Sequence, residues 1–143
     1  MYQSILVPID GSEQSCTALK LATRLVADEG SLYALNVQDP PLAEDAMGRA
    51  AGIVATNAEE IVQPAGLAVI ERASRQAELG DKQVQPIVRA GKPAQTIIEE
   101  AQRLGVDAVV MGSRGNSNIK SLVIGSVSYR VLHVAPCTVV IVS

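Results

Sequence analysis

Asp107-Ala108-Val109-Val110-Met111-Gly112-Ser113-Arg114-Gly115 is the stretch of sequence that decides the fold. Its first five residues form a short apolar run, which is typical of a strand buried on both faces of a parallel sheet. The glycines that follow allow a backbone to approach a ligand closely, because glycine has no Cβ. Nine residues then separate Gly115 from Gly125-Ser126, where a helix opens whose first N–H groups attract anions. The stretch therefore predicts a strand, a phosphate-binding loop and a helix in succession.

Apolar runs alternate with helical patterns along the whole chain. The predicted strands are residues 4–9, 32–37, 84–89, 107–112 and 137–142. The predicted helices are 13–28, 44–79, 93–104 and 126–134. We expect Ser12 to cap the first helix, Gly30 to end it, Pro64 to kink or break the second, and Gly105 to end the third. Strands separated by helices imply right-handed crossovers and a parallel sheet covered on both faces, which is a single-domain α/β fold.

Composition limits the classes of function. The chain has 143 residues, 48% of them hydrophobic, a formal net charge of −3 and three tyrosines as its aromatic residues. This balance argues against a nucleic-acid partner, which would favour a basic surface with aromatic stacking residues. No run is long and apolar enough for a membrane span, and the sequence opens directly on a strand, so we expect a cytoplasmic protein without a membrane partner. Cys16 and Cys137 are interpreted as small buried hydrophobic residues.

Several motifs together resemble one family. Gly112, Gly115 and Gly125-Ser126 match the pattern G-x2-G-x9-G-[S/T], and Ile5-Leu6-Val7-Pro8-Ile9-Asp10-Gly11-Ser12 resembles that family's first strand. The closing segments, Val131-Leu132-His133 and Ala135-Pro136-Cys137, are similar to its last helix and strand. The chain is thus similar to ATP-binding universal stress proteins over essentially its whole length. This resemblance implies an open five-stranded parallel sheet of order 3-2-1-4-5, of the Rossmann-like, adenine nucleotide alpha hydrolase-like kind.

One observation on the residues agrees with that order. Pro86 lies inside the third predicted strand and cannot donate to a ladder, which favours a position at the edge of the sheet. In the order 3-2-1-4-5 the third strand is an edge strand. The same order makes the gap between the first and fourth strands the topological switch point, where open α/β sheets bind ligands. Asp10 and Gly112 would meet there.

The resemblance also implies the site residues. Asp10 would contact the nucleoside, and the adenine would lie against Pro8, Ile9, Val37 and Met111. The ribose and phosphates would be held by Gly112, Arg114, Gly115, Gly125, Ser126, Val127 and Ser128. Each residue also has an ordinary structural interpretation: an Asp-Gly turn for Asp10, core packing for the apolar residues, and turns or helix caps for the glycines.

The function implied is an ATP-binding regulatory module in a stress response, with AMP or ADP as further ligands and a Mg²⁺ ion that could bridge the phosphates. Two alternatives stay open. One is a slow ATPase or adenylate-transferring enzyme of the same fold, and the other is an interaction protein that binds no nucleotide. His133 is the only histidine and no motif gives it a nucleophile or an orienting acid, so we expect no dedicated enzyme and no catalytic residue.

The last predicted strand suggests a homodimer. Thr138-Val139-Val140-Ile141-Val142 is uncharged and free of proline, and in the order 3-2-1-4-5 it lies at the second edge of the sheet. Exposed edges of this kind invite strand addition. A two-fold axis could pair this strand with the same strand of a second copy, an arrangement that the family resemblance also implies. The alternative is that a helix or loop shields the edge in a monomer.

Overall fold

The sheet has five parallel strands, and the chain enters its central strand first. In a computed structural model that describes residues 1–40, 58–114 and 124–143, the strands are β1 (Tyr2–Pro8), β2 (Val26–Gln38), β3 (Gln85–Ala90), β4 (Ala108–Gly112) and β5 (Thr138–Val142). Their order across the sheet is β3-β2-β1-β4-β5, which confirms the prediction. All four neighbouring pairs are parallel. The strand order therefore reverses between β1 and β4, and this is where the carboxyl ends of both strands leave a crevice.

Helices cover both faces of this sheet. Those described are α1 (Glu13–Leu25), α2 (Ala58–Ala77), α3 (Pro93–Leu104) and α4 (Ser126–Val134). Ile5 and Val7 of β1 pack with α1 and α2 on one face, whereas Leu6 packs with α3 and α4 on the other. These three side chains have no exposed surface, and burying each one is worth about 1.5–3 kcal/mol. The alternation of β1 thus builds one apolar layer on each face of the sheet.

α1 begins where the sequence predicts. Ser12 is its N-cap, because the Ser12 hydroxyl oxygen accepts the N–H of Ser15 at 3.1 Å. The predicted end of this helix is wrong: α1 stops at Leu25, and β2 begins at once with Val26. Val26 is 1% exposed and pairs with Tyr2 of β1. The free energy gained by burying Val26 in the sheet therefore exceeds the free energy of extending the helix by this residue.

Gly30 was expected to end that helix and instead lies inside β2. The register between β1 and β2 shifts just before this point, between Tyr2 and Ser4. A Cβ at position 30 would come within 2.7 Å of the carbonyl oxygen of Gln3 and within 2.8 Å of a methyl group of Val26. Glycine is therefore required here for the close approach of the two strands, which is a tertiary constraint.

The second helix lies partly outside the described residues. Residues 44–57 of its predicted range cannot be compared, and α2 is described from Ala58. The helix runs through Pro64 without a break. Val62 and Ile70, on either side of the proline, are buried in the core and hold both parts of the helix against the sheet.

α3 and β3 agree with their predictions. Pro93 opens α3, and Gly105 ends it in the left-handed conformation, with φ 63°. β3 lies at the edge of the sheet, and Pro86 is exposed there. Cys16 and Cys137 are half-buried, less than the sequence suggested, and burial raises the pKa of both thiols. Over the described ranges, no helix combines the length and the apolar character that crossing a membrane requires.

Candidate functional site

A cavity of about 150 Å³ lies at the carboxyl ends of β1 and β4, at the switch point of the sheet. Nine of the twelve predicted site residues line it: Pro8, Ile9, Asp10, Val37, Met111, Gly112, Arg114, Val127 and Ser128. The fold thus brings the Asp10 turn and the end of β4 into one crevice, although the two are far apart in sequence.

The other three predicted residues are placed differently. Gly125 and Ser126 do not line the cavity. Gly125 is the N-cap of α4, and its N–H donates to the carbonyl of Ser113 at 2.6 Å. Ser126 is the first residue of α4 and is exposed. Gly115 lies outside the described residues, so its predicted role is not compared.

Five further residues line the cavity that sequence reasoning did not assign to it: Ser12, Ser15, Leu35, Pro93 and Ile97. Ser12 and Ser15 belong to the cap and first turn of α1, directly after Asp10, so their closeness in sequence was a usable signal. Pro93 and Ile97 lie on α3, which packs on the sheet from another part of the chain. Nothing in the local sequence of α3 distinguishes these two residues from ordinary core residues.

We call the two sides of the cavity the apolar side and the polar side after most of their lining residues, although Met111 at the end of β4 adds an apolar residue to the polar side. Leu35 and Val37 come from β2, on one side of β1, and Ile97 comes from α3. Gly112 and Arg114 come from the end of β4, on the other side of β1. An apolar cavity of about this volume is known to hold benzene, so the cavity as a whole has room for one flat ring. Asp10, at the end of β1, lies between the two sides.

The Asp10 turn is an Asx turn. The carboxylate oxygen Oδ1 of Asp10 accepts the N–H of Ser12 at 2.9 Å, and the side chain is exposed at the rim of the cavity. The expected Asp-Gly turn and the expected place in the crevice are therefore compatible with each other. A carboxylate has two oxygens and several lone pairs, so it can serve a turn and a ligand hydroxyl together.

Asn36 holds the rim beside Asp10, and sequence reasoning missed it. The Asn36 amide is 3% exposed, and its Nδ2 donates to the carbonyl of Ile9 at 2.7 Å. Its Oδ1 accepts a hydrogen bond from Gln38 at 2.6 Å, and the N–H of Ile9 donates to the carbonyl of Leu35 at 2.7 Å. A polar residue in an otherwise apolar strand was the available signal. These bonds connect the backbone that leads into Asp10 to β2.

The end of β4 is held from several directions. The hydroxyl of Ser128 donates to the carbonyl of Gly112 at 2.7 Å, and the N–H of Ser113 donates to the carbonyl of Val142 at 2.7 Å. Ser128 is 3% exposed. Since a hydroxyl has one proton, Ser128 cannot donate to a phosphate while it makes this bond. Ser128 lies at the cavity, and its hydroxyl is bonded to the carbonyl of Gly112, at the end of β4.

Arg114 carries the clearest electrostatic signal of the site. Its guanidinium nitrogen Nη1 is buried and has no hydrogen-bond partner among the residues that the structure describes, and Arg114 lines the cavity. A buried polar group without a partner costs about 1–3 kcal/mol, and more when it is charged. One nitrogen of this cation is therefore left without a partner at the polar side of the crevice, where an anionic group of a ligand could pair with it.

His133 is placed as a surface residue. It lies exposed in the last turn of α4, its Nδ1 is 2.8 Å from the carbonyl oxygen of Tyr129, and its ring is 4.2 Å from that of Tyr129. It is not among the residues that line the cavity.

Comparison with known proteins decides the family. The family model described as "Universal stress protein family" matches residues 1–143. The chain belongs to the universal stress protein family. A relative in Bacillus subtilis, the universal stress protein YxiE, is 33% identical over 147 residues, which cover 99% of each chain.

Solved structures agree with this assignment. The structure of MJ0577, a universal stress protein of Methanocaldococcus jannaschii, has a TM-score of 0.79 and 26% identity and covers 99% of this chain and 96% of that one. The structure of a universal stress protein in complex with cAMP has a TM-score of 0.73 and 24% identity and covers 99% of this chain and 97% of that one. At that identity the second likeness shows the fold alone.

Proposed function

We propose that this universal stress protein is an ATP-binding regulatory module whose nucleotide lies in the crevice between β1 and β4. The observation that carries the proposal is the buried, unpartnered Nη1 of Arg114 at the polar side of the cavity. An Arg–phosphate pair is charge-assisted and often bidentate, so a phosphate is the ligand group that best satisfies this cation. AMP and ADP also carry phosphate, and we expect them to compete with ATP for the crevice.

The rest of the cavity supports an adenine nucleotide. The base would lie against the apolar side formed by Leu35, Val37 and Ile97. Asp10 lies between this side and Arg114, where its carboxylate would accept hydrogen bonds from ribose hydroxyls. A protein with the same fold holds cAMP, so this cyclic nucleotide belongs among the ligands that are tested.

A Mg²⁺ ion is part of the proposal only as a companion of the nucleotide. In residues 1–40, 58–114 and 124–143 there is no group of three or more His, Cys, Asp or Glu side chains that could hold a metal. Mg²⁺ binds phosphate oxygens and keeps much of its water shell, so the ligand itself would supply its site.

The proposal is tested by replacing the cation. Arg114→Met keeps the length of the side chain and removes its charge, so ATP affinity should fall about 10- to 100-fold, the value of a hydrogen bond to a charged group, while adenosine affinity stays unchanged. Isothermal titration with adenosine, AMP, ADP, cAMP and ATP measures this. Arg130→Met, on the exposed face of α4, is the matched control and should bind ATP like the parent.

Two results would contradict the proposal. One is a parent protein that binds none of these nucleotides and shows no adenine absorbance after native purification; with three tyrosines and no tryptophan, the chain itself absorbs weakly. The other is an Arg114→Met variant with the ATP affinity of the parent. Phosphate release in the steady state separates a binding module from the slow ATPase, because the module should retain its ATP intact.

We also propose that two copies pair through the edge of β5, Thr138–Val142, to form a homodimer. Val139 to Val142 of this strand are half-buried in the isolated chain, and β4 is its partner on one side. α4, which contacts β5, carries three exposed apolar residues, Tyr129, Leu132 and Val134. Pairing would satisfy the outward backbone groups of both copies.

A further inference from the structure

Gln14 connects the two halves of the crevice. It lies in the first turn of α1, one residue before the cavity-lining Ser15, and it is half-buried. Its side-chain oxygen Oε1 accepts the backbone N–H of Arg114 at 2.9 Å. The hydroxyl of Ser113 lies 3.5 Å from the same oxygen, a distance at which a hydrogen bond contributes little. Gln14 is not one of the residues that line the cavity.

The packing of Gln14 also explains Gly112. A Cβ on Gly112 would lie 2.8 Å from the Cβ of Gln14 and 3.2 Å from its Oε1, and the first distance is shorter than real side chains allow. The space that a side chain would need at position 112 is therefore occupied by Gln14. This glycine is required by a contact within the protein, in addition to any contact with a ligand.

We propose that Gln14 is a positioning residue that fixes the start of the phosphate loop, Ser113-Arg114, relative to the Asp10 turn. This inference rests on the proposed nucleotide function. The first turn of α1 carries Ser12 and Ser15 to the cavity and holds Arg114 through Gln14. Because the backbone of Arg114 is fixed before a ligand arrives, less conformational entropy is lost when its guanidinium binds a phosphate.

The neutral carboxamide suits this role better than a carboxylate. Glutamate at position 14 would also accept the N–H of Arg114. Its negative charge, however, would compete with the phosphates for the guanidinium of Arg114 and would repel the phosphates. Gln14→Glu should therefore keep the loop in place and still weaken ATP binding. This variant separates the positioning of the loop from its electrostatics.

The principal test uses Gln14→Met, which keeps the length of the side chain and removes the strong acceptor. ATP should bind about three- to tenfold more weakly, the equivalent of one net hydrogen bond, and adenosine should bind as it does to the parent. Gln102→Met on the exposed side of α3 is the matched control, with parent affinity for both ligands. Amide hydrogen exchange, followed by NMR, should show a faster rate at the Arg114 N–H in Gln14→Met and a protected one in Gln14→Glu.

The outcomes separate this inference from the proposed function. If the parent binds ATP and Gln14→Met binds it equally well, or loses ATP and adenosine affinity to the same extent, Gln14 does not position the phosphate loop. If the parent binds no nucleotide, the proposed function fails, and the exchange rate alone decides whether Gln14 holds Arg114. Should Gln14→Met not fold, rapid exchange at Arg114 in the folded Gln14→Glu variant would overturn the inference, and protection there would support it.

Discussion

β3 and β5 are the two edges of one sheet, and their outward-facing backbone groups differ in how they are satisfied. Gly91, just after β3, donates to Gln38 of β2, so the backbone groups of residues 86, 88 and 90 face outward. Pro86 has no N–H to leave unpaired. Gln63 of α2 donates to the carbonyl of Val88 at 3.2 Å, and Glu59 of α2 accepts the N–H of Ala90 at 2.8 Å.

In the part of the chain that the structure describes, β5 has no comparable cover. Ser113, which follows β4, donates to the carbonyl of Val142, so residues 138, 140 and 142 face β4 and the backbone groups of Val139 and Ile141 face outward. Within the described residues, no side chain makes a hydrogen bond to these two outward groups. Natural sheets normally block their edges. The contrast supports the proposal that a second copy covers β5, whereas β3 is completed by its own chain.

The largest expected effect comes from a proline placed in β5. Val139→Pro removes an outward N–H, so the proposed dimer should dissociate on the order of tenfold more readily, since each copy loses an inter-strand hydrogen bond. Val140→Pro is the matched control: it removes an N–H that faces β4 and should lower the free energy of unfolding by about 2–3 kcal/mol. Light scattering over a range of concentrations and thermal unfolding measure the two effects. A parent that is monomeric throughout, or equal effects of both prolines on association, would exclude this interface.

A smaller effect is expected where the cover of β3 is removed. Glu59→Ala takes away the carboxylate that accepts the Ala90 N–H, and the free energy of unfolding should fall by about 1–2 kcal/mol, because a charge-assisted hydrogen bond is lost in a part-buried site. Glu71→Ala, at an exposed position of α2 where the carboxylate makes only a surface ion pair with Arg75, is the comparison. Urea unfolding of both variants measures the difference. Equal stabilities would mean that Glu59 does not complete this edge.

How far the sequence predicts these features depends on whether their cause is local. Pro86 indicates an edge strand because proline has no N–H to donate. Pro93 and Gly105 likewise indicate the two ends of α3 by their own residue types. The predicted end of α1 was wrong because Val26 is buried through its pairing with β1. No local sequence pattern indicates that pairing.

The same distinction applies to the site. Asp10 and Gly112 follow predicted strands at the switch point, so topology brings them together once the order is known. Gln14 was missed because its partner, Arg114, lies a hundred residues away in sequence. The sequence motif predicts Gly112 as a ligand contact, whereas its packing against Gln14 is visible only in three dimensions.

The smallest expected effect is at Pro86 itself. Pro86→Val adds an outward N–H and a strand-favouring side chain at an exposed position, so the free energy of unfolding should change by no more than about 0.5 kcal/mol. Among the described residues, the side chains of α2 that bond this edge reach Val88 and Ala90, so the new donor at position 86 is open to pairing and weak association through β3 should appear at high protein concentration. Gln85→Val adds the same apolar side chain at an exposed neighbouring position whose N–H faces β2, and it should not associate in this way. If light scattering shows the same association for both variants, added hydrophobicity is the cause, and the missing donor of Pro86 does not protect this edge.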